Sequence, residues 1–294
     1  MRRIAIVPLL AGFLLTASVA QAKVVPRGIP QSGVQIHPDI VGGSPTAQGN
    51  LGFVVFVANP SYGECSGTLV SSNVVLTAAH CVVDENDGYN YPASDYNVYY
   101  GNVDRTQAQT ASVSQIDVAS GYIWDSSADY DDAALLVLSS SVSQPTVSLA
   151  VNGFAPPLGT LIAGWGLTIG SDSASAPTVL QWASTTTQLA SYCAYHFAYF
   201  SSSLQLCALN ILSYTSVCNG DSGGPLMYYY NNQWVELGIT DFGIADCNVL
   251  YPQYFTNVEV SFAEDAGHFV HYECPDLAAR EINKFFSGPA QRQA

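Results

Sequence analysis

The sequence predicts an all-β protein of barrel or sandwich type, on three observations. From Ile40 onward short apolar or β-branched runs recur, Gly, Ser, Asn and Pro separate them, and a helical pattern is confined to the C-terminal tail. The runs, in chain order, are FVVFVA (53–58), GTLVSSNVVLTAA (67–79), YNVYYG (96–101), AALLVL (133–138), TLIAGWG (160–166), PLMYYY (225–230) and WVELGITDF (234–242). Regular short strands bounded by turn residues are the pattern of barrels and sandwiches. The Ser- and Pro-rich stretch at 139–159 divides the strand-rich region into comparable halves, read as units at 40–145 and 146–258. Residues 259–294 read as a helical extension, with Leu277, Ile282, Phe285 and Phe286 as its apolar positions.

The N-terminus sets the compartment. Arg2 and Arg3 precede a nearly continuous apolar run from Ile4 to Val19, and Ala20-Gln21-Ala22 is a small-residue cleavage site, so residues 1–22 read as a signal peptide. The run contains Pro8 and lacks a following basic cluster, which argues against a membrane anchor. A secreted, extracellular protein is expected. Residues 23–39, with three prolines and two glycines, read as an exposed propeptide. The 272 residues left after residue 22 supply core enough that no metal or cofactor is needed for folding.

The formal net charge is −15, and only Arg105, Arg280, Lys284 and Arg292 carry positive charge beyond Asp39. Such a surface repels phosphate backbones and anionic lipid, so neither nucleic acid nor membrane is an expected partner. Seven cysteines downstream of a secretory signal point to disulfides with one thiol left over. None forms a CxxC pair, so no zinc site is expected.

Ser222 lies in Gly220-Asp221-Ser222-Gly223-Gly224-Pro225, where flanking glycines let backbone approach a substrate and aim N–H groups at it. A serine hydroxyl is a weak nucleophile and needs a base with a group to orient it. His80, after an apolar run and beside Cys81, is the candidate base. Asp132, at the head of AALLVL, is the candidate orienting carboxylate.

TAAHC (77–81), DDAALL (131–136), AGWG (163–166), CNGDSGGP (218–225) and IVGG (40–43) stand in the order found in the trypsin and chymotrypsin family, and the resemblance covers about residues 40–258. It implies two six-stranded antiparallel β-barrels with the active site between them, and a serine endopeptidase acting on protein or peptide substrates through an acyl-enzyme. In that reading His80 is general base and then acid, Asp132 fixes its tautomer, and the N–H groups of Gly220 and Ser222 form the oxyanion hole. The resemblance pairs Cys65 with Cys81, Cys193 with Cys207 and Cys218 with Cys247, leaving Cys274 over. It also implies a zymogen: an activating protease frees the amine of Ile40 to pair with Asp221.

The chain departs from the family at four positions. Asp39 stands where Arg or Lys usually precedes the activation cut, so the activating protease is not trypsin-like or trims after a first cut near Arg27. Ser216 falls at the floor of the primary pocket, where a trypsin carries aspartate; with Phe242 and Gly243 at the entrance, cleavage after apolar or aromatic residues is expected. Gln253 replaces a back-wall glycine. Asp241 replaces a serine that donates to the orienting aspartate, and three readings stay open: a protonated Asp241 donates to Asp132, Asp241 points away as a strand-end acid, or the register is off by one.

Two other function classes compete. Gly220-Asp221-Ser222-Gly223-Gly224 also satisfies GxSxG, and Asp241 or Asp246 followed by His268 or His271 would give an α/β-hydrolase order, but that fold needs strands alternating with helices. A catalytically inactive homologue acting as a binding module is the alternative, against which all three candidate positions stand intact. Since Arg105 is the only Lys or Arg from 40 to 258, trypsin is predicted to cut that region of the mature protein at one position at most; rapid breakdown into several fragments on a denaturing gel would contradict this.

Overall fold

A computed structural model describes residues 40–84, 88–125, 128–151, 157–243 and 247–258. The expected signal peptide, propeptide, terminal helix and Cys274 lie outside these residues. The first half is a closed barrel of six strands: β1 (Val54–Asn59), β2 (Gly63–Ser71), β3 (Val74–Thr77), β4 (Asn97–Tyr100), β5 (Gln109–Val118) and β6 (Ala134–Leu138). Hydrogen bonds run around it in the order β1-β2-β3-β6-β5-β4 and back to β1. The run 67–79 is a hairpin rather than one strand, because Ser72 and Asn73 break it between β2 and β3. Val55, Val57, Leu69, Val75, Val98 and Leu136 fill the interior, each fully buried or nearly so. A side chain of that size stabilises by about 1.5–3 kcal/mol when withdrawn from water.

The second half contains β7 (Gly159–Gly164), β8 (Gln181–Thr186), β9 (Gln205–Ala208), β10 (Pro225–Tyr230), β11 (Gln233–Thr240) and β12 (Gln253–Asn257). These pair as β8-β7-β10-β11-β12-β9, with Ser44–Pro45 added beside β8 and Ser148–Leu149 pairing in parallel with β11. The sheet curls until its ends meet, but closure rests on a single bridge, Thr187 with Ala208, flanked by Gln188 N–H to Cys207 O and Leu209 N–H to Thr186 O, both 2.9 Å. The second barrel is thus less completely closed than the first. One feature departs from the sequence reading: a short helix, α1 (Ala190–His196), precedes β9, where no helix was expected. Its seven residues span under two turns, too few for a visible apolar period.

Ile40 is wholly buried and belongs to the second half's core with Ile162, Val217 and Phe255. Between the halves lies Glu236 on β11, with no solvent exposure; its Oε2 accepts the Thr68 hydroxyl at 2.6 Å, and its Oε1 has no partner among the described residues. Burial pushes this carboxyl up to about 8, against one opposing hydrogen bond from Thr68. The folded protein therefore binds a proton here that the unfolded chain loses near pH 4.5. Stability from this group is complete below pH 4.5 and declines through pH 8, at a slope of up to about 1.4 kcal/mol per pH unit. Denaturant melts should show Glu236→Gln flattening the loss of stability across that window; an unchanged slope would mean that Glu236 is ionised in the folded protein.

Candidate active site

His80 follows β3 directly, in a 3₁₀ turn spanning Ala79–Cys81. The buried segment Thr77 to Ala79 leads into it and the Cys65–Cys81 disulfide ties the turn back to β2, so the imidazole has little freedom to swing. Asp132 arrives from the other side, one turn before β6. Its carboxylate is fully buried and accepts twice from His80: from the backbone N–H at 2.8 Å and from Nδ1 at 2.7 Å. Burial alone would raise the Asp132 pKa. The positive charge available on His80, its two hydrogen bonds and a third from the Asp241 side chain outweigh that and hold it below the ordinary carboxylate value. An ionised Asp132 keeps the imidazole proton on Nδ1, which leaves Nε2, on a side chain 19% exposed, able to accept a proton.

Ser222 sits in the turn before β10, and that turn is sewn to the first barrel. The N–H of Ser66 donates to Ser222 O at 2.8 Å, and the Ser66 hydroxyl donates to Gly220 O at 2.9 Å. Gly223, with φ of +79°, lies so close to Thr77 Oγ1 and Ser66 O that no side chain fits there. Gly220, at φ of +100°, turns the backbone before the serine. Among the described residues neither the Gly220 nor the Ser222 N–H donates to another protein group. Two free donors beside a serine are an arrangement able to stabilise an oxyanion.

Asp221 is buried beneath this turn. It accepts from Gly166 N–H at 2.8 Å and Cys218 N–H at 2.9 Å. Burial pushes its carboxyl up to about 7 despite these two donors, and no cationic side chain opposes the shift among the described residues.

A cavity of about 270 Å³ opens beside Ser222, lined among others by Val217, Asn219, Thr240, Asp241, Phe242 and Gly243. Phe242 stacks on Tyr254 with ring centres 4.8 Å apart and meets Phe197 edge-on at 5.0 Å. Ser216 and Gln253 are buried but do not line this cavity: the Ser216 hydroxyl donates to Val217 O, and the Gln253 amide donates to Tyr251 O. Val41 forms a bridge with Ser216. The three disulfides are Cys65–Cys81, Cys193–Cys207 and Cys218–Cys247, so every cysteine among the described residues is bridged and none is available to a metal.

Three contributors escaped sequence reasoning. Ser66 supports the Ser222 turn through hydrogen bonds across the barrels, the Thr77 hydroxyl donates to Ser66 O within the first barrel, and Gln205 approaches Asp241 Oδ2 at 3.5 Å. Nothing in the local sequence around them marks these roles.

A family model for trypsin matches residues 40–264. Trypsin alpha of Drosophila melanogaster is 30% identical over 256 residues, covering 84% of this chain and 93% of that protein. A trypsin-like protease of Streptomyces glaucescens is 29% identical over 230 residues, 77% of this chain and 80% of its own. The CLIP domain-containing serine protease B4 of Anopheles gambiae is 24% identical over 256 residues, covering 78% and 70%. A match across three quarters of the sequence, on a chain folded as a closed six-stranded barrel and a second curled sheet, makes the chain a member of the trypsin family of serine proteases.

Proposed function

We propose that the chain is the secreted zymogen of a serine endopeptidase that cleaves after apolar or aromatic residues. The observation that carries this reading is the fully buried Asp132 fixing the His80 ring at 2.7 Å beside a cavity bordered by Ser222. His80 takes the Ser222 proton as the hydroxyl attacks the scissile carbonyl, and returns it to the leaving amine. Asp132 holds the tautomer and stabilises the imidazolium. The Gly220 and Ser222 N–H groups receive the negative oxygen of the tetrahedral intermediate. Water then repeats the sequence on the acyl-enzyme.

The specificity reading rests on charge. Asp221 is withdrawn beneath the turn, the sequence offers Ser216 rather than a carboxylate at the expected pocket floor, and Phe242 offers an aromatic wall beside the exposed Gly243. Secretion rests on the apolar leader at 4–19 and its Ala-x-Ala end.

Activation follows from Ile40. Its side chain is buried in the second core, and the Asp221 carboxyl lies buried with only backbone donors among the described residues. A cut after Asp39 would release an ammonium able to neutralise Asp221. An ion pair there keeps Asp221 charged and fixes the loop that carries Gly220.

A peptide-library profile of the activated enzyme is expected to give cuts after apolar or aromatic residues and none after Lys or Arg. Ser222→Ala should lower turnover by about 10⁴-fold or more, the loss usual for such triads. Cleavage after Lys, or full activity in the Ser222 variant, would overturn the reading. N-terminal sequencing of active enzyme should begin at Ile40; an active form beginning elsewhere would remove the insertion step.

A further inference from the structure

Asp241 directly follows β11 and is 4% exposed, and its carboxyl lies beside that of Asp132, where a hydrogen bond from Asp241 would help hold the Asp132 pKa down. One side-chain polar atom from each of His80, Asp132 and Asp241 lies within 4.8 Å of the other two. Two carboxylates cannot share a hydrogen bond unless one of them carries a proton. The described surroundings of Asp241 carry no cationic side chain. Around Asp241 the Gln205 amide approaches Oδ2 at 3.5 Å, the backbone N–H of Asp241 is taken by Tyr254 O, and the Tyr254 hydroxyl is turned away to Cys193 O. Thr240 and Phe242 flank it in the chain without charge. Arg105, the only Lys or Arg between 40 and 258, is held by Glu64 at 3.0 Å. Among the described residues, His80 is the titratable base facing the pair, and its Nδ1 is already directed at Asp132.

We propose that Asp241 is a proton-bearing positioning residue: at neutral pH it stays a carboxylic acid, donates to Asp132, and leaves one negative charge on the buried pair. This deepens the serine-protease reading and rests on it for its catalytic consequence. A like-charged pair in a desolvated site is too costly, so the proton remains on the member that lacks the imidazole. Asp132, with two donors from His80, is the better-stabilised anion, and Asp241 keeps the proton. The donated bond then fixes Asp132 from the side opposite His80. The same proton keeps the cavity beside Ser222 free of charge, since Asp241 is part of its lining. An ionised Asp241 would place an anion there and attract a basic substrate side chain.

The test compares wild type with Asp241→Asn, which can donate without a titratable proton, and with Asp241→Ala, which cannot donate. The first readout is infrared difference spectroscopy at neutral pH, wild type minus Asp241→Asn, independent of turnover. The expected result is a carboxylic-acid C=O band present in wild type and missing from the variant; a carboxylate band in its place overturns the proposal. The second readout is the pH dependence of kcat/KM. Asp241→Asn should keep its acid limb, because no charge beside His80 has been removed, and Asp241→Ala should lose about ten- to a hundred-fold in kcat. A downward shift of the acid limb in Asp241→Asn would mean that Asp241 is an anion. If Asp241→Ala does not fold, the Asn variant and the infrared band decide the matter alone. Inactive wild type with the acid band present would contradict the protease reading while leaving the proton assignment intact.

Discussion

The structure turns on how a chain almost without cations buries carboxyl groups. Asp132, Asp221, Glu236 and Asp241 are all withdrawn from water, while Arg105 is already committed to Glu64. An isolated buried carboxylate is expensive, so each must acquire hydrogen-bond donors, a cationic partner or a proton. Asp132 acquires His80. Asp221 has two backbone N–H groups and a pKa raised to about 7; Glu236 has one hydroxyl and a pKa raised to about 8. Among the described residues, the one of the four that accepts a hydrogen bond from a side chain able to become cationic is Asp132, from His80. The scarcity of positive charge thus concentrates ionisation where the proposed chemistry uses it.

The cleft exists because the two halves are held together by groups that serve the site as well. Ser66 on β2 grips both Gly220 and Ser222, Gly223 admits Thr77 against the serine turn, and Thr68 reaches Glu236. His80 and Asp132 come from the closed barrel, whose ladder fixes their spacing. Ser222 and the cavity come from the second, whose closure depends on one bridge. The fully closed half supplies the base and its orienter, and the less completely closed half supplies the cavity wall.

Much of this was legible in the sequence, and the rest failed for identifiable reasons. Strands such as β1, β3 and β6 are buried on both faces and read as unbroken apolar runs. Strand β5 was missed because its sequence, QTASVSQIDV, alternates exposed polar residues with small buried ones. Strands β8, β9 and β12 each begin with a buried glutamine, a residue that composition assigns to the surface. His80, Asp132 and Ser222 were legible because their motifs are local. Ser66 acts through contacts 154 residues away in sequence, which no local pattern records. For Asp241 the sequence left three readings open; its burial and its place within 4.8 Å of His80 and Asp132 are what support the reading in which it donates to Asp132.

The claim that unites the account is that His80, oriented by buried Asp132, activates Ser222 as a nucleophile. Its most direct test is covalent labelling with a phosphonofluoridate on chain beginning at Ile40, with the adduct located by peptide mass mapping. The account predicts one adduct, on Ser222, and its loss when His80 is replaced by alanine. No adduct, an adduct on another residue, or equal labelling without His80 would contradict it.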